Sequence, residues 1–586
     1  MSVVEGVSLR ARPGRITGLA GESGSGKTTA ALSAIAYLPA GATRLRGDAF
    51  LDGQSLLALD ASARRRLWAS EISYVAQDAG PALNPARRIG VQLGEVLTVN
   101  GGLSRAAAQR RAVELLEAVR LPDAASALRR YPHELSGGQL QRIAIAMALA
   151  PEPRVIILDE PTTGLDVTTA AEVIAMLNAL IRDRGLAAIY ISHDLALLAT
   201  ISDELAVFYA GEIVESGPTP EVLRAPRHPY TRALLDALPS VRRALRPRGI
   251  PGLPPGQVVP DRCGFTSRCS YAEPRCSQEH PALLPLTPGR FVRCLRAEAL
   301  GALPSEAAPI LQPRREREGA LLLEADGLVC EYGQGRGRVV AVDRVSLDVR
   351  EREVVGLVGE SGSGKSTIGR AIMGLMSPRA GTLRWRGEAL PPHRSRTAAQ
   401  HREIQIIFQN PDSSLNPRHT VEQLIGRAVA LLRTEVPGPA RHELIADALR
   451  EVQLDPGLMS RYPHQLSGGQ KQRVAMARAF VARPRLVICD EIISGQDVSV
   501  QATILELVRR MQREHETALL FISHDLAAVR AIAQYVYVLQ GGRVQEHAAT
   551  EQLFETPAAD YTRRLLAAVL EPDAPRDRPP VPGTRE

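Results

Sequence analysis

The chain contains itself twice, and this constrains its fold more than any other feature. The stretch "GESGSGKTT" at residues 21–29 returns as "GESGSGKST" at 359–367. Likewise "YPHELSGGQLQR" at 131–142 returns as "YPHQLSGGQKQR" at 462–473, and "YISHDLA" at 190–196 as "FISHDLA" at 521–527. Lys27 and Lys365 are 338 residues apart. Ser136 to Glu160 and Ser467 to Glu491 are both 24 residues, and Glu160 to His193 and Glu491 to His524 are both 33. Equal spacing between rigidly placed motifs means one fold, duplicated. The period is too long for a solenoid and suits whole domains. A chain of 586 residues also exceeds a single core. The expected division is a first α/β domain at 1–240, a Pro- and Cys-rich extension and linker at 241–320, a second α/β domain at 321–572, and a disordered tail at 573–586.

Bulk properties narrow the setting. No window approaches 18 consecutive apolar residues, so no membrane-spanning helix is expected. The opening "MSVVEGVSLRARPGR" lacks the charged-then-apolar layout of a signal peptide, which makes the cytoplasm the default compartment. The net charge is +7, but aromatic residues are only 4% and no dense basic block interleaves with them. A solvated basic surface explains this charge better than a nucleic-acid site. Lysine occurs only three times, at Lys27, Lys365 and Lys471, and two of these fall in glycine-rich loops. A compact ammonium on a flexible stem fits there; a guanidinium fork does not.

Those loops are Walker A motifs, Gly21-x4-Gly26-Lys27-Thr28 and Gly359-x4-Gly364-Lys365-Ser366. Each follows an apolar strand ("RITGLA", "EVVGLVG") and opens a helix. Backbone N–H groups of such a loop wrap phosphates, and the helix N-terminus adds its dipole. The spacing assigns Gly21, Ser23, Gly24, Gly26, Lys27, Thr28 and Thr29 to one nucleotide, and Gly359, Ser361, Gly362, Gly364, Lys365, Ser366 and Thr367 to another. Asp159 and Asp490 end apolar strands and, with Thr28 and Ser366, are expected to hold Mg²⁺. Glu160 and Glu491 then stand beside the γ-phosphate as general bases. His193 and His524 end a further strand as γ-phosphate sensors, and Gln77 and Gln409 end strands from which an amide reaches the metal or the lytic water.

At "LSGGQ", present at 135–139 and 466–470, the sequence resembles ATP-binding cassette (ABC) ATPases. The resemblance covers both repeats and implies two P-loop NTPase cassettes in tandem, each with an α-helical signature subdomain. It implies head-to-tail pairing, with each ATP sandwiched between one Walker A loop and the other cassette's signature. Lys27, Gln77, Glu160 and His193 would then share a nucleotide with Ser467, Gly469 and Gln470. Lys365, Gln409, Glu491 and His524 would share one with Ser136, Gly138 and Gln139. A narrower resemblance rests on "QDAGPALNPARRIG", "QNPDSSLNPRHTV" and "HPYTRALLDALP". It is to ATPases of bacterial dipeptide, oligopeptide and nickel importers. It implies two integral membrane permeases as partners, a solute-binding protein acting indirectly, no nucleic acid, and a place on the cytoplasmic face of the membrane. The competing reading is a twin-cassette ATPase acting on ribosomes or nucleic acid. A long charged helical linker would be expected there, and this linker is instead Pro-rich and Cys-bearing.

Three departures stand out. Cys263, Cys269, Cys276 and Cys294 cluster, at spacings that do not fit paired C-x2-C zinc knuckles. They are either reduced packing cysteines or the ligands of a [4Fe-4S] cluster, and the resemblance suggests the cluster. The family carries an aromatic residue that stacks on adenine. Tyr332 occupies that place 27 residues before Gly359, whereas the same distance before Gly21 falls before Met1. A misassigned start or a weaker first site is therefore expected. In the second repeat, Pro161 becomes Ile492 and Leu165 becomes Gln496, which is expected to loosen Glu491 and slow that site.

Overall fold

A computed structural model describes residues 2–39, 41–44, 46–309, 317–333 and 338–572. The tail at 573–586, expected to be disordered, lies outside the described residues.

Each repeat is built on a mainly parallel sheet. In the first the strand order is Ile72–Val75, Val155–Asp159, Ala187–Ile191, Ile16–Ala20, Glu204–Tyr209, then Glu212–Pro218. The second repeats it with Ile404–Ile407, Leu486–Asp490, Ala518–Ser523, Val354–Val358, Tyr535–Gln540 and Arg543–Ala549. The first five strands of each run parallel and the sixth turns back antiparallel. Strands Ile16–Ala20, Ala187–Ile191, Val354–Val358 and Leu486–Asp490 are buried along their whole length. Covering helices on both faces explain why these strands read as unbroken apolar runs rather than alternating ones.

A helical subdomain flanks each sheet, formed by Ile89–Val99, Arg105–Ala118 and Gly137–Leu149 in the first repeat. Val421–Leu432, Arg441–Glu451 and Gly468–Phe480 form its counterpart. The SGGQ turn starts the third helix of each set with a capping box. Ser136 and Ser467 accept hydrogen bonds from the N–H groups of Gln139 and Gln470, whose side chains accept in return from the serine N–H groups.

The repeats differ at two places. The second carries an antiparallel sheet of Val339–Arg350, Leu321–Tyr332, Ala380–Trp385 and Glu388–Ala389. In the first, residues 2–15 form no strand. Val4, Val7, Leu9 and Ala11 still pack on the core, but their backbone has no neighbouring strand to bond. The other difference is an addition. Hairpin strands Leu284–Thr287 and Arg290–Val292 extend the first sheet beyond Glu212–Pro218, so part of the Cys-bearing segment is built into that cassette.

The halves clasp each other reciprocally. Helix Pro229–Ala237 packs on Val498–Glu514, and Asp560–Ala568 packs on Val167–Asp183. Ala237, Val498 and Ala502 form a small buried cluster between them. Buried Glu571 accepts from the hydroxyl of Ser240 and the N–H groups of Val241 and Arg242.

Candidate nucleotide sites

Each Walker A loop is a tight turn between a buried strand and a helix. Gly21 and Gly359 lie so close to a neighbouring strand that a Cβ would sit 2.3 Å from the Phe208 carbonyl oxygen and 2.1 Å from that of Leu539. Only glycine lets the backbone pass there. Gly26 and Gly364 take left-handed conformations (φ 95° and 102°) immediately before helices Lys27–Ala34 and Lys365–Ile372. The loop tips Ser23, Gly24, Ser361 and Gly362 are exposed, while Lys27 and Lys365 are buried. Lys27 Nζ donates to the carbonyls of Gly21 (2.7 Å) and Glu22 (2.9 Å), and Lys365 Nζ to those of Gly359 (2.8 Å) and Glu360 (2.6 Å). Burial lowers the pKa of both lysines against the pull of nearby carboxylates.

The hydroxyl–carboxylate pairs are in place. Thr28 Oγ1 lies 3.0 Å from Asp159 Oδ2, and Ser366 Oγ lies 2.8 Å from Asp490 Oδ1. Burial raises the pKa of both aspartates, which a bound cation would reverse. One hydroxyl and one carboxylate beside a phosphate loop is the sparse protein donor set that suits Mg²⁺, which keeps several waters. The sites differ at one neighbour: the Tyr74 hydroxyl donates to Asp159 Oδ2 at 2.9 Å, while the corresponding strand position in the second repeat is Ile406.

The next residue is held alike in both. Glu160 and Glu491 take left-handed φ values of 47° and 48°, unusual for glutamate. Their N–H groups donate to the carbonyls of Ile191 and Ile522, each at 3.0 Å, which fixes the turn. Glu160 receives Gln77 Nε2 (3.0 Å), Thr163 Oγ1 (3.0 Å) and His193 Nδ1 (3.1 Å). Glu491 receives Gln409 Nε2 (2.7 Å), Ser494 Oγ (3.3 Å) and His524 Nδ1 (3.5 Å). Burial pushes both glutamates up, but the histidine beside each, with Lys27 or Lys365 and the Thr163 or Ser494 hydroxyl, together outweigh it and hold the carboxyl below its ordinary range. Burial pushes the histidines down, and the glutamates reverse that, so both imidazoles sit above 6.5. The expected loosening at Glu491 has no counterpart in its backbone conformation. Ile492 and Ile493 are buried in the second core and anchor the turn where Pro161 serves in the first.

Tyr332 lies at the edge of the second site, its hydroxyl 3.2 Å from Thr367 Oγ1 and its ring half exposed. The signature serines point outward at the starts of their helices. Gly138 and Gly469 press against Thr169 and Val500 of the helix that follows the acidic pair in their own cassette. Those helices reach the other cassette. Asp497 Oδ2 accepts from the Ser23 N–H (2.9 Å), Thr168 Oγ1 donates to Glu360 (3.0 Å), and Ser499 Oγ donates to Glu22. Among the described residues no side-chain hydrogen bond joins Ser136 or Ser467 directly to the facing Walker A loop. The link runs through Asp497, Thr168 and Ser499.

The four clustered cysteines line one small pocket, which His228, Phe265, Tyr271 and Arg296 also line. None is in a disulfide. Burial raises the thiols of Cys263 and Cys294, and that of Cys269 to about 12, so they are un-ionised at neutral pH, and any metal bound there would have to displace their protons. Among the described residues no group of three or more His, Cys, Asp or Glu side chains closes around a single ion.

A protein-family model described as ABC transporter matches residues 4–163 and 342–494. The chain belongs to the ABC transporter family. A second model, the C-terminal region of oligopeptide/dipeptide transporters, matches 214–276 and 545–586. The second of these stretches lacks the His-Pro that precedes Tyr230 in the first, and the match holds without it. In the first stretch the buried, neutral His228 accepts the Tyr230 N–H through Nδ1. Over the full chain, the oligopeptide transport ATP-binding protein OppD of Mycobacterium tuberculosis is 38% identical, with 98% of this chain and 96% of that protein covered. The glutathione import ATP-binding protein GsiA of Escherichia coli O157:H7 is 35% identical, with 99% and 88% covered. Among solved structures, the archaeal ribosome recycling factor aABCE1 shares the fold at a TM-score of 0.56 and 18% identity, covering 92% of this chain and 87% of that one. Sequence alone missed Tyr74, Thr163, Ser494 and Glu22. The repeated "GES" marks Glu22, but nothing in its neighbourhood names its partners.

Proposed function

We propose that this chain is the ATP-hydrolysing subunit of a membrane importer for peptides or a related small solute, with both ATPase halves fused. The observation that carries this is near-full-length identity to importer ATPases together with the peptide-importer C-terminal region after each cassette. The first cassette at 1–240 and the second at 321–572 supply the two nucleotide sites. In each, the Walker A residues bind the phosphates, and Thr28 with Asp159, or Ser366 with Asp490, holds Mg²⁺. When bound, that cation neutralises charge on the β- and γ-phosphates. Glu160 and Glu491 take a proton from the attacking water, which Gln77 and Gln409 orient. His193 and His524 hold the glutamates in place and face the γ-phosphate. The facing signature residues, Ser467, Gly469 and Gln470 or Ser136, Gly138 and Gln139, close the sandwich. The cross-cassette bonds at Ser23–Asp497 and Glu360–Thr168 support that pairing.

The segments after Gln77 and Gln409 dock two permeases on the cytoplasmic face of the membrane, and a separate binding protein delivers the solute. No helix among the described residues is long and apolar enough to cross a membrane itself. Cys263, Cys269, Cys276 and Cys294 hold a [4Fe-4S] cluster. All four line one shared pocket, which supports a common ligand. Co-expression with the neighbouring membrane-protein genes tests the function: the expected result is a stable complex with two permeases whose ATPase rises with solute and binding protein. Co-sedimentation with ribosomes instead would overturn it. Iron and acid-labile sulfide analysis after anaerobic purification tests the cluster, and absence of both would remove it.

A further inference from the structure

The two sites differ again at the second residue of each Walker A loop. Glu360 is half-buried; the hydroxyl of Thr168 from the opposite cassette donates to it, and the Tyr561 hydroxyl accepts its N–H at 3.4 Å. Glu22 has the equivalent partners: Ser499 of the opposite cassette donates to its carboxylate, and the Tyr230 hydroxyl accepts its N–H at 2.9 Å. Glu22 has in addition Arg268, which lies between Cys263 and Cys269. Its guanidinium forks onto both oxygens of Glu22 at 2.7 and 2.9 Å, with the two side chains 3% and 5% exposed. Arg268 is itself fixed by the Pro251 carbonyl (2.8 Å) and lies over the Tyr209 ring. Phe265, three residues earlier, packs on Tyr209 and Tyr230.

We infer that Arg268 is a positioning residue for the first nucleotide site, and that through it the four-cysteine segment controls ATP binding at that site alone. Glu22 is part of the turn that wraps the phosphate, and its carbonyl is a partner of Lys27. A buried carboxylate that loses its bidentate arginine must either find water or drag the loop outward, because an unpaired buried charge is costly. Either response alters the loop that cradles phosphate and the contact with Ser499 across the interface. Among the described residues nothing comparable reaches Glu360, so the dependence is one-sided. The inference rests on the nucleotide reading of residues 21–28 but not on what occupies the cysteine cavity.

Photolabelling of the full-length protein with 2-azido-ATP, followed by peptide mapping, reads each cassette separately. Lys27→Ala must abolish first-cassette labelling; if it does not, the nucleotide reading fails rather than the role of Arg268. Arg268→Met is expected to lower first-cassette labelling affinity by at least about tenfold, with the second cassette unchanged. Arg268→Met/Glu22→Gln, which removes the stranded charge, is expected to recover most of the loss. Unchanged first-cassette labelling, equal loss in both cassettes, or no recovery in the double variant would overturn the inference. Hydrogen exchange on unmodified Arg268 gives a test that does not depend on the variants folding. ATP should slow exchange in residues 263–278 in the natural chain and in Lys365→Ala, but not in Lys27→Ala. ATP-independent exchange there would equally overturn it.

Discussion

If the two acidic sites are equivalent, removing either proposed general base should leave comparable residual activity. The perturbation is Glu160→Gln or Glu491→Gln, each keeping side-chain shape while removing the charge that accepts a proton. Around the two glutamates themselves, the main electrostatic difference is the histidine pair, at 3.1 Å for His193–Glu160 and 3.5 Å for His524–Glu491. At an effective dielectric of about 20, each attraction is about 5 kcal/mol and the two differ by about 0.6 kcal/mol. That difference corresponds to less than about threefold in rate. It runs partly against the shorter Gln409–Glu491 bond, 2.7 Å against 3.0 Å for Gln77–Glu160. Backbone conformation adds no asymmetry, since φ is 47° and 48°. Steady-state ATPase of the two single variants should therefore agree within about threefold. The double variant should lose about 10²–10⁴-fold. The outcome holds whether the sites fire independently or must both be live, because either scheme treats equal sites equally. Full activity in Glu491→Gln with collapse in Glu160→Gln would refute the argument and mark the second acid as idle.

Other consequences can be checked as directly. The Glu–His pairs require a pH window: the carboxyls lie below 4.5 and the imidazoles above 6.5. The histidine contribution to stability is complete below 6.5 and fades as pH rises through the raised value; the glutamate contribution is present above 4.5 and fades as pH falls through the lowered one. The rate–pH profile should fall at both ends, and His193→Gln/His524→Gln should abolish the alkaline limb. Tyr332→Ala should weaken ATP at the second site by about 0.5–1.5 kcal/mol, read by calorimetry in a Lys27→Ala background, with Tyr332→Phe close to the parent. Glu571→Ala strips the acceptor from two buried or half-buried N–H groups and the Ser240 hydroxyl, and should cost about 1.5–3 kcal/mol in thermal unfolding. A melting profile unmoved by that change would mean the clasp between the halves contributes nothing.

The short-range machinery was legible in the sequence because it is encoded in contiguous stretches. A glycine loop between an apolar strand and a helix permits few backbone paths, and a capping box needs only residues three apart. Lys27, Thr28 and Gly21 are neighbours in the chain, and Asp159 ends, and Glu160 follows, a second apolar strand, so motif and spacing were enough to place them. Duplication supplied the second site and showed where it departs, at Pro161 against Ile492. That Ile492 and Ile493 hold the turn by burial was not legible, since burial depends on the core around them. The same limit applies to the longest connections. Arg268 meets Glu22 across 246 positions, and Ser499 meets it across 477. No periodicity or propensity acts over such distances. These contacts exist because the hairpin-bearing Cys segment folds back onto the first sheet and because the helix after each acidic pair starts against the other cassette. The sequence alone determined that there are two phosphate-binding cassettes. Only the tertiary structure decided that one of them is held by an arginine from the cysteine segment, because a buried carboxylate chooses its partner by which charged group the packed faces bring within reach.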